Sequence, residues 1–420
     1  MADLNSEHAP EVRVPIMVCY CPTLAVGFLY PSQSALTANG RKPLKPLLQG
    51  LLSPKQVFSS TVTSRSRMSH DEIQNNQSMR TKHFSSESKG LWGMSGTSSD
   101  DRGRTTLGVL SGALARKARR SVTSRVNDKL YISLVYRREF GRFPNLNNPQ
   151  TFNEKICCRR FDPEPVYTIL SDKHAVRDYV AATVGDEYLI PCHGHTTELT
   201  PELYQALPES FVMKGNHGSG FNLLVRDKHT YSCQQLAGIG RHWLAADYYL
   251  VSRESHYRRI QPRLLFEKLL LDEYDRPPMD FKFYCFRRPD RRDPEIYIEV
   301  VQDRFTDFAV DYYDVDWNLV EVVQEKFTTG RRLPKPEKLD EAIEVAKRLS
   351  EGFDFARVDL YLTAGHVYFG EITFTPTGGL KNFRTPAHDR WWGQLMQPLR
   401  KPFTPMPYPE TVDMPWPDIE

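Results

Sequence analysis

The chain has 420 residues, 40% hydrophobic and 25% charged, enough for roughly two to three domains of about 150 residues each. Lys and Arg number 55 against 52 Asp and Glu; the formal charge of +3 excludes a general attraction to nucleic acid or to an anionic membrane surface, so any basic site must be local. The seven cysteines are odd in number and contain no CxxC pair, which argues against a zinc framework and for a reducing, cytoplasmic setting.

Residues 14–38 carry no charge, but Pro15, Pro22 and Pro31 interrupt them well short of the ~20 consecutive apolar residues of a spanning helix. Acidic residues rather than a basic run precede this stretch, which argues against a signal peptide. From residue 51 to 104 Ser, Thr, Asn, Gln, Arg and Lys dominate, with isolated Leu91, Trp92 and Met94. Such a segment buries too little apolar area to offset its ordering entropy, so residues 1–104 read as a mostly disordered extension. Over 105–150, Leu107, Leu110, Leu114, Val126, Leu130, Leu134 and Val135 recur near helical spacing and predict an amphipathic helical lead-in, its basic run at 116–120 a solvated face. Residues 401–420 form a Pro-rich tail.

Residues 151–400 read as one α+β region. Thr151 with Glu154 three positions on is a capping-box start, and a second helix is expected over 167–184, stopped by Gly185. Strands are predicted at 211–214, 222–225, 264–270, 281–286, 295–302 and 311–313, helices at 233–249 and 339–351, and a final hairpin over 353–374. Strands that neighbour one another by turns imply a mainly antiparallel sheet. The sequence has no evident internal repeat.

The hairpin is the most informative stretch. Alternation puts Val358, Leu360 and Leu362 on one face and Arg357 and Asp359 on the other; on the second strand Tyr368, Ile372 and Phe374 share a face opposite Glu371 and Thr373. A three-residue loop, 364–366, pairs Thr363 with Val367, Asp359 with Glu371 and Arg357 with Thr373. Two carboxylates about 5 Å apart repel by about 3 kcal/mol at an effective dielectric of ~20. A shared divalent cation resolves this, and oxygen ligands suit Mg2+ with phosphates completing its shell. The alternatives are neutralisation of one acid by Arg357 or Lys381, or a slipped register.

A phosphate-seeking cation calls for a cradle. Lys214 ends a strand, the loop Gly215-Asn216-His217-Gly218-Ser219-Gly220 follows, and 222–225 returns as a strand. Glycines let backbone N–H groups wrap an anion, and Lys214 adds a point charge. No Gly-Lys-Ser/Thr follows and no helix opens after the glycines, so this is neither a Walker A loop nor a dinucleotide fingerprint. Glu267-Lys268 inside an apolar run, and Asp280-Phe281-Lys282-Phe283, add charges to strands that exposed faces alone could also explain.

In order and spacing, Lys214 with its loop, Leu265-Phe266-Glu267-Lys268, Asp280-Phe281-Lys282-Phe283, Arg357-Val358-Asp359 and Gly370-Glu371-Ile372-Thr373 resemble the ATP-grasp enzymes. From Thr151-Phe152-Asn153-Glu154-Lys155 through Ser171-Asp172-Lys173-His174 onward, over about residues 130–400, the chain is similar to the teichuronopeptide-biosynthesis branch, often found with polysaccharide genes. The resemblance implies an ATP-grasp fold, nucleotide held between two α+β lobes, and an ATP-dependent ligase joining a carboxylate to an amine through an acyl phosphate. It implies nucleotide contacts from Lys173 and Lys214, a cover of Gly215, Gly218, Ser219 and Gly220 over the β- and γ-phosphates, and an adenine-ribose slot along Glu267, Lys268 and Leu269. Lys282 and Arg357 would steady the transferred phosphoryl group, and Asp359, Glu371 and Thr373 would hold Mg2+; many members carry Asn where Thr373 stands. Implied substrates are small molecules such as a sugar acid and an amino acid, with other surface-polymer enzymes as partners, no nucleic acid and no membrane span.

Two other readings compete. Asp314-Val315-Asp316 is an Asp-x-Asp tripeptide of the kind that holds a metal and a nucleotide sugar in a glycosyltransferase, though Asp also shapes turns. A catalytically silent nucleotide-binding module is the other. No convincing triad involves His174, His193, His195 or His217.

Overall fold

A computed structural model describes residues 126–302 and 309–398. The expected N-terminal extension, the first part of the helical lead-in and the Pro-rich tail lie outside them. Helix α1 (Asp128–Phe140) falls within the expected lead-in; its start is capped by Asn127, whose side chain accepts from Lys129 N, and Gly141 closes its end with φ +74°. Helix α2 (Phe152–Phe161) opens on the complete capping box of Thr151 and Glu154.

The helix expected over 167–184 is two helices, α3 (Val166–Ser171) and α4 (Val176–Thr183). Between them Asp172 turns its carboxylate onto its own backbone, accepting from His174 N at 2.8 Å, and takes Asn216 Nδ2 at 2.8 Å. A local side-chain bond thus displaces the helical one.

A four-stranded antiparallel sheet runs in the order β1-β4-β2-β3, with β1 Cys192–Thr196, β2 Phe211–Gly215, β3 Asn222–Val225 and β4 Leu264–Glu267. Helices α5 (Pro201–Ala206) and α6 (Cys233–Leu244) accompany it; Leu236 and Trp243 of α6 pack with Phe211, Met213 and Phe266 of the sheet. Strand β4 is shorter than expected: Lys268 N still donates to Pro191 O at 2.9 Å, but Pro191 has no N–H with which to continue the ladder. Helix α6 ends before 249: Ala246 N turns back onto the Trp243 carbonyl at 2.9 Å, His217 Nε2 donates to the same oxygen at 3.1 Å, and a separate short α7 (Tyr249–Ser252) follows.

The second sheet is six-stranded and antiparallel, in the order β10-β9-β5-β6-β7-β8. Its strands are β5 Asp280–Phe286, β6 Glu295–Gln302, β7 Ala309–Tyr313, β8 Leu319–Val320, β9 Phe355–Thr363 and β10 His366–Thr373. One face is largely apolar: Phe281, Phe283, Ile298, Val300, Val358 and Leu360 pack against α3, α4 and α8 (Leu339–Leu349); buried Asp311, opposite Val300, is a polar exception, met by Gln302, Gly330 N and the hydroxyls of Thr328 and Thr329. The opposite face is aromatic at one end, where α2 and α9 (Pro386–Leu395) cover Tyr284, Phe286, Tyr297 and Phe355 with Phe152 and Trp392. At its other end it carries charge. The architecture is therefore α+β with mainly antiparallel sheets. No helix among the described residues is long and apolar enough to cross a membrane.

The β9–β10 hairpin reaches the expected pairs by another route. Its loop is two residues, Ala364 and Gly365, both with positive φ as a tight primed turn requires, so His366 pairs with Thr363 and Val367 with Leu362. A bulge at Gly370 then absorbs one residue, and from there Glu371 pairs with Asp359 and Thr373 with Arg357. The bulge also reverses the alternation. Val367 and Phe369 join Ile372 and Phe374 in the apolar core, and Tyr368 does not share that face.

Helix α9 approaches α2 through Gly393. A Cβ there would stand 2.3 Å from Gln150 O and 2.8 Å from Phe152 N. Gly393→Ala is therefore expected to destabilise the fold by about 1–3 kcal/mol, since only backbone movement relieves the clash; urea denaturation of the two proteins measures it.

Candidate functional site

Five neighbouring strands of the large sheet contribute one side chain each to a transverse row: Glu371 on β10, Asp359 on β9, Lys282 on β5, Glu299 on β6 and Tyr312 on β7, each directly opposite the next. At ~4.8 Å per strand the row is about 19 Å long. Arg357 lies one step along β9, on the same face. It donates from Nε to Asp359 Oδ1 and from Nη2 to Asp359 Oδ2, both at 2.7 Å, and from Nη2 to Glu371 Oε1 at 3.0 Å and Thr373 Oγ1 at 3.2 Å. The hairpin acids are thus bridged by a single guanidinium. Lys282 Nζ lies 2.6 Å from Asp359 Oδ2 and 3.6 Å from Asp280 Oδ2.

Burial opposes ionisation of Glu371, yet Lys173, Arg357 and Lys282 outweigh it and hold this carboxyl down at about 2. Burial acts upward on Glu299 too, and Lys381, Lys282 and Arg357 hold it at about 2. Lys381 does not neutralise a hairpin acid; it pairs with Glu299 at 3.0 Å.

Facing the row is the glycine loop. Lys173 Nζ donates to Gly218 O at 2.9 Å and lies 3.6 Å from Glu371 Oε2. The loop is pinned at its base rather than mobile throughout. Asn216 N donates to Arg263 O at 3.1 Å, its Oδ1 accepts from Arg263 N at 2.6 Å, and its Nδ2 reaches Asp172 and Gln261 O. A Cβ on Gly218 would lie 2.8 Å from the Tyr248 ring and 2.9 Å from Phe221, so only glycine fits there. Gly215 is buried, and Ser219 and Gly220 are the open part of the loop. On the small sheet Lys214 Nζ pairs with Glu267 Oε2 at 2.6 Å, and Arg177 approaches the other oxygen at 3.5 Å. Leu269 is buried just beyond, and Lys268 is exposed.

The row and the loop together gather Lys173, Gly218, Lys282, Arg357, Asp359, Glu371 and Thr373, while Lys214 and Glu267 form a second pair on the small sheet. The sequence reading did not single out Asp172, Asn216, Glu299 or Glu254. Glu254 is buried, hydrogen-bonded to Thr375 Oγ1, and raised above the usual carboxylate range by burial with Glu371 adding to the rise. Asp172 and Asn216 lie inside the sequence motifs but were given no role there; Glu299 carried only the signal of a charge within the β-run 295–302, and no motif marks Glu254.

Asp359, Glu371 and Thr373 offer only oxygen donors, and Glu371, a third exposed, is reachable from outside. Two protein carboxylates suit an ion that keeps water and phosphate in its remaining positions. Among the described residues a three-ligand cluster of other composition, exposed Glu209, Asp227 and His229, lies on the small-sheet side. Asp314 and Asp316 form a turn: Asp314 Oδ1 accepts from Asp316 N at 3.0 Å and Asn318 N at 2.8 Å, so its carboxylate serves the backbone. His217 is buried and carries a lowered pKa from that burial, and His174 packs edge-on against His195 at 4.2 Å.

A family model described as TupA-like ATPgrasp matches residues 154–397. Among solved structures, the chain is similar to a D-alanine–D-alanine ligase from Bacillus anthracis, at 16% identity and TM-score 0.28 over 50% of this chain and 58% of that one. It is also similar to an N5-carboxyaminoimidazole ribonucleotide synthetase from Thermus thermophilus, at 11% identity and TM-score 0.31 over 53% and 52%. A phosphoribosylamine–glycine ligase from Thermotoga maritima gives 10% identity and TM-score 0.29 over 51% of each chain. The chain thus spans between 51% and 58% of the length of these proteins. Among curated proteins none matches.

The depressed Glu299 carboxyl has a stability consequence. Its ionisation stabilises the fold fully above its ordinary value of 4.5, and that contribution is lost as pH falls toward about 2. Urea midpoints measured at intervals from pH 5 to pH 2 are expected to fall less steeply for Glu299→Gln than for the unsubstituted protein.

Proposed function

The chain belongs to the TupA-like ATP-grasp family, and from that premise we propose that it is an ATP- and Mg2+-dependent carboxylate–amine ligase that makes an amide through an acyl phosphate. The observation that carries this reading is Lys173, within 2.9 Å of the glycine loop and 3.6 Å of Glu371, which sets the loop and the acidic hairpin around one space.

Lys173 and Lys214 bind the nucleotide, and Gly215, Gly218, Ser219 and Gly220 cover its β- and γ-phosphates. Glu267, Lys268 and Leu269 line the adenine-ribose slot. Asp359, Glu371 and Thr373 hold Mg2+, whose contribution when bound is to draw charge from the phosphate oxygens. Thr373 offers a hydroxyl where many family members offer an amide, and its Oγ1, 3.2 Å from Glu371 Oε1, orients that carboxylate.

An oxygen of the substrate carboxylate attacks the γ-phosphorus and ADP leaves with the electrons of the broken P–O bond. The amine nitrogen then attacks the acyl carbon, inorganic phosphate leaves, and the ammonium proton passes to solvent. Lys282 and Arg357 hold the negative charge of the transferred group, and no protein nucleophile is needed. Before substrates arrive, Asp280, Asp359 and Glu371 are already matched by Lys173, Lys282 and Arg357. A lone dication would add two unmatched positive charges to this set, whereas polyphosphate arriving with it brings compensating negative charge and further oxygen ligands.

The carboxylate and amine are proposed to be a sugar acid and an amino acid of a cell-surface polymer, assembled in the cytoplasm beside other enzymes of that synthesis; the family branch supports this. Asp314, spent on its own turn, favours the ligase over a glycosyltransferase.

The full chain incubated with Mg-ATP and pools of uronic and amino acids should release ADP and yield a new amide mass. Asp359→Asn and Glu371→Gln should each lower ADP release by about 100-fold or more. Nucleotide binding without turnover on any pair would make the protein a silent module. Calorimetry with Mg2+ alone should show binding at least about 10-fold weaker than in the presence of ATP; equal affinity would contradict the charge matching.

A further inference from the structure

The transverse row continues past the residues given a role above. Glu299 stands directly opposite Lys282, and three donors converge on one of its oxygens: Tyr284 Oη at 2.8 Å, Lys381 Nζ at 3.0 Å and Tyr312 Oη. Lys381, 6% exposed, also donates to Tyr312 Oη at 2.6 Å and lies 4.9, 5.0 and 5.9 Å from the rings of Tyr284, Tyr312 and Trp392. Its backbone is clasped from both sides by Asn153, whose Oδ1 accepts Lys381 N and whose Nδ2 donates to Lys381 O, each at 2.9 Å. Both charges are fixed in place. A buried pair of this kind adds little net stability over apolar packing, which turns attention to what stands beside it.

Beside it stands Lys282, enclosed by three carboxylates: Asp359 at 2.6 Å, Asp280 at 3.6 Å and Glu299 across the β5–β6 pair. Arg357 offsets the first of these and Lys381 the last. Without Lys381, Glu299 would keep two phenols, and Lys282 would be the cation directly opposite it. The lysine would then turn toward β6, about one strand spacing of ~4.8 Å from the Asp359–Glu371 end. We infer that Lys381, acting through Glu299, is a positioning residue that keeps Lys282 at the Asp359 end of the row, beside the transferred phosphoryl group. The inference rests on the role given to Lys282 under the ligase reading.

The test compares the affinity of the full chain for Mg-ADP and for Mg-AMPPNP, whose γ-phosphoryl group is the part Lys282 would touch, by calorimetry. Lys381→Met is expected to weaken AMPPNP binding about 10-fold and leave ADP binding unchanged, because a charge-assisted contact is displaced rather than deleted. Glu299→Gln is expected to keep or raise the preference for AMPPNP, and the double variant to return it to within about threefold of the unsubstituted protein. A merely structural pair would lower both affinities in both single variants. Equal losses for the two nucleotides, no loss in Lys381→Met, or a falling AMPPNP preference in Glu299→Gln would overturn the inference. Should Lys381→Met fail to fold, the Glu299→Gln result decides alone. If the unsubstituted protein binds neither nucleotide, the ligase reading fails and the inference with it; if it binds both, a negative result counts against the role of Lys381 only.

Discussion

A single guanidinium holds the acidic hairpin together. Arg357 reaches both oxygens of Asp359 and one of Glu371; Arg357 and Asp359 are buried, and Glu371 is the member of the three that solvent reaches. Side by side and unmatched, the two carboxylates would repel strongly, and an unmatched Arg357 would be a stranded buried charge. Each of the three therefore requires the others. The same logic spreads along the row: Lys282 is set against Asp359 and Asp280, and Lys381 against Glu299. The outcome is a floor of fixed, mutually matched charge formed before any substrate arrives, the kind of preorganisation that phosphoryl transfer exploits.

That floor holds its shape because the other end of the same sheet face is packed like a core. Phe152 meets the rings of Phe355, Trp392 and Phe383 at 5.2, 5.4 and 5.8 Å, nearly edge-on in each case. The strands that carry Lys282 and Arg357 also carry Tyr284, Phe286 and Phe355 into that cluster. Close packing at the aromatic end fixes strand positions to a fraction of an ångström, and the polar end inherits that precision.

Much of this was legible in the sequence, for identifiable reasons. At β3 and β6 the expected ranges, 222–225 and 295–302, match the strands, each a short apolar run opened by a polar residue. Asp359 facing Glu371 was legible because both lie on strands consecutive in the chain and joined by a tight turn. The pair was nonetheless reached through a three-residue loop and no bulge, where the protein has a two-residue loop and a bulge; the two differences cancel at Glu371 and show at Tyr368. Long-range effects were beyond reach. The Asp172 carboxylate that interrupts one helix is met from afar by Asn216, and the Trp243 carbonyl at the end of another is met by His217. Glu299 and Lys381 are 82 residues apart, and no local pattern joins them. Strand β1 and helix α9 were not anticipated; the first is a Gly-interrupted edge strand, and the second begins at Pro386, a residue that reads equally well as a breaker.

The bulge at Gly370 works like a dislocation in a crystal lattice. On its tip side the hairpin keeps one phase of inward and outward side chains, and on its base side the opposite phase. An insertion or loop graft at Ala364–Gly365 would be taken up before it reached Glu371, which makes the exposed tip a natural place to splice in a reporter peptide without disturbing the acids below.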